Sequence, residues 1–156
     1  WKYLEGKPLR ILQIGGLEGA SSLWCLENLD CHATIVDDGS YAGFGTLFTN
    51  LTIWNKEWYD RCKVIQEDSS KALFDLKDKF NFIYIDGCHE DWKVYWDSVL
   101  SFGLLADDGI LIWDDYEWTL LENDRTPKGG IDRFLNEYSG QYTLLEQNYN
   151  VVIKKL

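Results

Sequence analysis

The sequence predicts a doubly wound α/β domain built on parallel strands, and three observations lead there. Short apolar runs bounded by turn residues recur along the chain, as buried parallel strands do. Segments with apolar residues at helical spacing separate them. Two of the runs, Phe82-Ile83-Tyr84-Ile85 and Ile110-Leu111-Ile112-Trp113, stop at acid, in Asp86-Gly87-Cys88-His89 and Asp114-Asp115-Tyr116. The stretch between them is long enough for a crossover helix, so the two strands are expected to be neighbours.

The elements follow in order. Leu9 to Ile14 reads as a first strand and leads into Gly15-Gly16-Leu17-Glu18-Gly19. Ser21 or Ser22 is placed to cap a helix running to about Asn28, because a hydroxyl satisfies a free amide at a helix start. Ala33 to Val36 is a second strand ending at Asp37-Asp38-Gly39, and Phe44, Leu47, Phe48, Leu51, Trp54 and Trp58 then fall at helical spacing. Cys62 to Gln66 is a third strand, followed by Glu67-Asp68-Ser69-Ser70 and a short helix around Ala72 to Leu76. The fourth strand ends at Asp86, and Trp92, Trp96, Val99 and Leu100 mark the expected apolar face of the crossover helix. The fifth strand ends at Trp113. A polar loop containing Pro127 and Gly129-Gly130 precedes a helix marked by Ile131, Phe134, Leu135 and Tyr138. Tyr142 to Leu145 and Val151 to Ile153 form a closing pair of strands around Asn148-Tyr149-Asn150. Ligands of such a fold bind at the carboxyl ends of the strands.

Composition narrows the function classes. The 156 residues suit one domain with a proper core, and 46% hydrophobic with 26% charged residues is a globular balance. A net charge of −11 argues against nucleic acid or an anionic membrane as partner, because phosphates need clustered Lys and Arg. No apolar stretch reaches the length of a membrane span, and no signal peptide is visible. Cys25, Cys31, Cys62 and Cys88 show no CxxC spacing, so reduced thiols and a cytoplasmic location are expected, and a zinc site is not. The eight tryptophans are assigned to the core, a pocket or an oligomer interface.

The first turn has ligand-binding character. Gln13-x-Gly15-x-x-x-Gly19 places free amides and close-approach glycines at a helix start. It is not GxGxxG, since Leu17 and Ala20 occupy the second and third glycine positions counted from Gly15; the nicotinamide reading is weakened accordingly. Asp37, 22 residues past Gly15, stands where an acid can accept the hydroxyls of a ribose. A tight turn with a capping aspartate explains the same residues without any ligand. Asp68-Ser69 can meet the amino edge of an adenine or simply cap a helix, and the two roles are compatible.

At the fourth and fifth strand ends, Asp86, Asp114 and Asp115 would be close enough to repel unless one is protonated or a cation sits among them. Oxygen ligands favour a hard divalent ion such as Mg²⁺, and His89 could take a proton from an acceptor hydroxyl. Each residue alone reads as a turn or loop residue; the convergent set reads as a site. His32 reads as structural, and Lys128 faces the same edge from its loop.

The segments LQIGGLEGASSLWCLENL, ATIVDDG, FIYIDGCHEDWKVYWDSVLSFGLLADDGILIWDDY and GGIDRFLNEY resemble class I S-adenosylmethionine-dependent methyltransferases. The nearest group is the small-molecule (sugar and natural-product) O-methyltransferases with an Ile-Asp-Gly-x-His segment. The resemblance implies a Rossmann-like seven-stranded sheet with an antiparallel last strand, and a single domain over 1–156. It further implies cofactor contacts at Gln13, Gly15, Gly16, Leu17, Asp37, Asp38, Asp68, Ser69 and Asp86. Mg²⁺ would lie at Asp86, Asp114 and Asp115, with His89 and Asp86 catalytic. Two departures stand out: the family's usual Glu is Gln13, and Cys88 replaces a common Ser. The extra N-terminal helices that often form a substrate lid are also missing, so a second subunit of a homo-oligomer is a candidate to complete the pocket.

The resulting expectation is a Mg²⁺-assisted O-methyltransferase acting on a hydroxylated small molecule. The alternatives are a non-catalytic ligand-binding or interaction domain of the same fold, motivated by Gln13 and the missing lid, and, less favoured, a nicotinamide-dependent oxidoreductase.

Overall fold

A computed structural model of the chain describes residues 3–4, 8–41, 44–54, 58, 60–119 and 126–156. The order is β1 (Leu9–Ile14), α1 (Ala20–Asn28), β2 (Cys31–Asp37), α2 (Phe44–Trp54), β3 (Cys62–Gln66), α3 (Ser69–Asp75), β4 (Phe80–Ile85), α4 (Asp91–Leu104), β5 (Leu105–Trp113), α5 (Pro127–Glu137), β6 (Tyr142–Gln147) and β7 (Val151–Lys155). The seven strands form one sheet in the order β3-β2-β1-β4-β5-β7-β6. β7 runs antiparallel to both neighbours, and the other pairings are parallel. The chain first builds outward from β1 to β3 and then returns to lay β4 on the other side of β1. That reversal opens a crevice at the carboxyl ends of β1 and β4, where such sheets bind ligands.

Strand alternation divides the core in two. Leu12, Ile14, Ile83, Ile85, Leu111, Trp113 and Ile153 face one side, beneath Val94, Phe102 and Phe134 of α4 and α5. Ile11, Ile35, Phe82, Ile110, Ile112 and Val152 face the other, beneath Leu26 of α1 and Leu47 of α2. Continuous apolar runs are required here because both faces are covered. Among the described residues no helix is long and apolar enough to cross a membrane.

Three local expectations are corrected. α1 begins at Ala20 behind Gly19, whose φ of 91° only glycine adopts easily, and Ser22 is buried rather than capping. Trp92 and Trp96 are about half exposed at 52% and 50%, while α4 buries Lys93, Val94, Tyr95, Asp97, Ser98, Ser101 and Phe102. Ser98 is paired on that face: Trp113 Nε1 donates to Ser98 Oγ at 2.7 Å, and Ser98 donates to the Val94 carbonyl at 2.6 Å. Pro127, Gly129 and Gly130 belong to α5 itself, with Pro127 in its first turn, where its missing N–H costs nothing. A Cβ on Gly130 would lie 2.2 Å from the Asp91 carbonyl oxygen, so this glycine lets α5 rest directly on α4.

Candidate active site

Backbone hydrogen bonds carry the ladder past the strand ends and bring their turns together. The N–H groups of Gly15, Asp86 and Asp114 donate to the carbonyls of Val36, Ile14 and Ile85 at 2.9, 2.9 and 3.0 Å. Gly15 has φ of 83°, and a Cβ there would fall 1.9 Å from the Asp86 carbonyl oxygen. The glycine therefore seats the first turn on the residue that ends β4. Above these turns lies a cavity of about 630 Å³, lined among others by Gly15, Leu17, Asp37, Asp38, Asp68, Ser69, Asp86 and His89.

Asp37 serves mainly the protein. Its Oδ2 accepts from the Gly16 and Leu17 amides at 2.7 and 2.9 Å, and its Oδ1 accepts from Gly39 at 2.7 Å. One carboxylate thereby shapes both the β1 and β2 turns. Asp38 is the freer acid: it lines the cavity, accepts from the Ser40 amide at 2.8 Å, and is held below the usual carboxylate range chiefly by hydrogen bonds from Ser40. Gln13 and Gly16, expected at the cofactor, lie outside the cavity lining. Gln13 is only 3% exposed; its Nε2 donates to the Gly15 carbonyl at 2.7 Å and its Oε1 accepts from the Ser22 hydroxyl. It braces the turn from behind.

The third turn is tied to α4. Asp68 Oδ1 accepts from the Ser70 amide at 2.9 Å, which is the helix cap read in the sequence. Asp68 Oδ2 accepts from Lys93 Nζ at 2.7 Å, and this bond is the leading cause that lowers its carboxyl pKa. Ser69 donates to Asp97 Oδ1 at 2.7 Å. Burial pushes Asp97 up to about 6, against the opposing pull of Ser69 and Lys93.

Asp86, His89 and Asp115 each present a donor atom, and these atoms lie within 4.8 Å of one another. His89 Nε2 is 2.7 Å from Asp115 Oδ2, and Nδ1 is 2.8 Å from the Gly87 carbonyl oxygen. A carbonyl can only accept, so Nδ1 carries a proton, and Nε2 is the nitrogen directed at Asp115. Asp115 has φ of 56°, a costly conformation for a non-glycine residue that is found at functional sites. Its Oδ1 accepts from the Tyr149 hydroxyl at 2.5 Å, which pushes Tyr149 up to about 12. Burial, reinforced by Asp114 and Asp115, raises Asp86 to about 7, with His89 opposing.

Asp114, expected beside Asp86 and Asp115, turns elsewhere. Its Oδ2 accepts from the Tyr84 hydroxyl and its Oδ1 from the Asp115 amide at 2.9 Å. It supports the cluster from outside the cavity lining. Lys128 also stands apart, donating to the Tyr116 hydroxyl and pairing with Asp132 at 3.3 Å. His32 is exposed on β2, and Cys88 is exposed at the cavity.

Sequence reasoning missed Lys93, Ser40, Glu90 and Trp118 among the lining residues. The Trp118 ring meets His89 edge-on at 4.6 Å. Lys93 lies in the first turn of α4, which begins after His89 at Asp91, and no spacing in the sequence marks it.

A family profile described as a methyltransferase domain matches residues 12–116. An O-methyltransferase of Aspergillus hancockii, hkm8, is 25% identical over 112 residues, covering 72% of this chain and 44% of the relative. The chain thus spans less than half the length of that curated relative. Among solved structures, an O-methyltransferase from Bacillus cereus in complex with SAH superposes with TM-score 0.71 at 19% identity, covering 94% of this chain and 74% of that one. TomG of Streptomyces achromogenes, an O-methyltransferase of tomaymycin synthesis in complex with SAM, gives 0.68 at 16%, covering 94% and 72%. These structural likenesses establish the fold.

Proposed function

The chain belongs to the methyltransferase domain family, and from that premise we propose that it is an S-adenosylmethionine-dependent O-methyltransferase of a hydroxylated small molecule. The observation that carries the reading is the Asp86–His89–Asp115 cluster at one end of a nucleoside-sized cavity. Asp37, Asp38, Asp68, Asp86 and Asp115 all line that cavity, with Lys93 the one lysine or arginine among its described lining residues. Such an acidic wall suits a ligand bearing a sulfonium and an ammonium group. The SAH- and SAM-bound O-methyltransferases of the same fold support this choice of cofactor.

In the proposed arrangement the first turn holds the amino-acid part of the cofactor, Asp38 accepts from its ribose, and Asp68 with Ser69 faces its base. When bound, the cofactor supplies an electrophilic methyl group. Once the acceptor hydroxyl takes the place of the Asp115 carboxylate at His89 Nε2, that nitrogen removes its proton, and the adjacent Asp115 stabilises the resulting imidazolium. The Gly87 carbonyl fixes the ring tautomer throughout.

The cluster also suits a divalent cation such as Mg²⁺. Burial and like charge hold Asp86 well above the ordinary carboxylate range, and Asp115 is close enough to share an ion with it. Asp86 and Asp115 would hold the metal, with Asp114 orienting Asp115 through its amide. A metal there would acidify and orient the acceptor oxygen. The described cysteines are free thiols, which fits a reducing, cytoplasmic setting.

Calorimetry with S-adenosylhomocysteine, followed by methyl transfer from labelled S-adenosylmethionine to hydroxylated acceptors with EDTA or added Mg²⁺, tests the proposal. Binding and acceptor-dependent transfer are expected, the latter stimulated by Mg²⁺. An absence of binding at millimolar nucleoside would overturn the reading. Activity indifferent to EDTA would remove the metal from it.

A further inference from the structure

The fold leaves the apolar stripe of α4 facing outward. Trp92 and Trp96 are about half exposed, Val99 and Leu100 are half-buried, and Gly103 is exposed. The buried face carries Val94, Tyr95, Asp97, Ser98, Ser101 and Phe102 instead. Along the outward face the steps from Trp92 to Trp96, Val99 and Gly103 are four, three and four residues. That is the heptad spacing of a seam along which two helices pack side by side.

The seam is complementary to itself. Its midpoint falls between Asp97 and Ser98, so an antiparallel two-fold pairing sets Trp96 against Val99 of a second copy and Trp92 against its Gly103. Each large ring then meets a smaller residue. A Cβ added to Gly103 would stand in open space, which leaves room for an indole. Trp92 loses no hydrogen bond on burial, because its Nε1 already donates to Glu90.

The charges at the two ends favour the same arrangement. Glu90 and Asp91 stand at the amino end of the seam. At the carboxyl end Lys79 donates to the Gly103 carbonyl, and Lys155 donates to those of Phe102 and Leu105. Asp107 acts on Lys155 there, while Asp78 and Asp108 are paired with Arg10 and Lys154. Two copies laid antiparallel bring the acids of each toward the lysines of the other and oppose their helix dipoles. A parallel pairing would set acid on acid.

We propose that α4 is a contact surface for a second copy of this chain, paired antiparallel through Trp92, Trp96, Val99 and Gly103. Two half-exposed indoles offer about 200 Å² per copy, against about 800 Å² per partner in a standard stable interface. The seam is thus the core of an interface, and a reversible dimer forming at micromolar concentration is expected. The pairing is independent of cofactor and reaction.

Sedimentation equilibrium of the whole chain from about 1 to about 500 μM tests this. A monomer–dimer equilibrium is expected, weaker in high salt, where the end charges are screened. Trp96→Lys puts a charge into the seam and should weaken the dimer about tenfold or more, with the melting temperature of the dilute protein nearly unchanged. Gly103→Leu fills the space left for Trp92 and should also weaken it; its Cβ meets nothing within a single copy, so the variant folds. A chain that stays monomeric throughout overturns the proposal and leaves the stripe to another protein or to a further segment of a longer chain. A dimer that neither substitution weakens overturns it as well, since the copies then meet elsewhere.

Discussion

His89 is held at both ring nitrogens, by the Gly87 carbonyl at 2.8 Å and by Asp115 Oδ2 at 2.7 Å. The proposed base and its stabilising carboxylate therefore come from turns at the ends of two neighbouring strands, β4 and β5. His89→Gln should lower kcat about 10² to 10⁴-fold, the range for loss of a general base. Its nucleoside affinity, read by calorimetry, should change little. A variant that keeps full turnover would remove His89 from the reaction.

Asp37 and Asp38 are adjacent but should respond differently to removal. Asp37→Ala strips acceptors from three backbone amides, and should cost about 1–3 kcal/mol of stability together with nucleoside affinity. Asp38→Ala should lower nucleoside affinity with the melting temperature nearly unchanged. Paired denaturation and calorimetry measure both, and equal melting losses would show that the two acids share one structural role.

Gln13→Glu introduces the acid that the sequence resemblance implies at this position, yet it should not improve cofactor binding. The residue is 3% exposed and its amide donates to the Gly15 carbonyl, a bond that a carboxylate cannot make. Loss of that donor and burial of a charge should destabilise the fold by about 1–3 kcal/mol. Urea unfolding checks the magnitude, and tighter binding of S-adenosylhomocysteine by the variant would contradict the bracing role.

Asp97 should leave a mark on stability against pH. Its carboxyl is raised from 3.8 to about 6 by burial. Between those values the unfolded chain has released the proton and the folded chain has kept it, so stability declines as pH rises through that window. Above about 6 the penalty is constant. Asp97→Asn removes this dependence, and its stability relative to the unaltered protein should grow by the order of 3 kcal/mol from pH 4 to pH 6 and then level off. A flat difference would show that Asp97 is not raised.

The sheet was readable because its central strands β1, β4 and β5 are covered on both faces and end in apolar runs, whereas the outer strands β3 and β6 are half-buried or exposed throughout. The acidic ends of β4 and β5 likewise marked where Asp86, His89 and Asp115 gather. α4 misled because its buried face includes Lys93, Asp97, Ser98 and Ser101 while Trp92 and Trp96 are exposed; a periodicity of apolar residues cannot reveal charges that find partners on another element. Asp114 and Asp115 were equivalent in sequence, and the left-handed backbone of Asp115 separates their directions. Gln13 suggested a weakened or non-catalytic site only while it was assumed to face the cofactor.

Gly15 has a wider consequence through its contact with the Asp86 carbonyl. The turn proposed to hold the cofactor and the backbone of Asp86 are in direct contact, so neither can be retuned alone. Trp118 and Tyr149 meet the cluster through their side chains, and the backbone ties both to the turn after β5: the Trp118 amide donates to the Asp115 carbonyl at 2.9 Å and the Tyr149 carbonyl accepts from Tyr116 at 2.8 Å. Under the proposed function, changing the acceptor is a matter of remodelling those segments, leaving the donor's seat untouched.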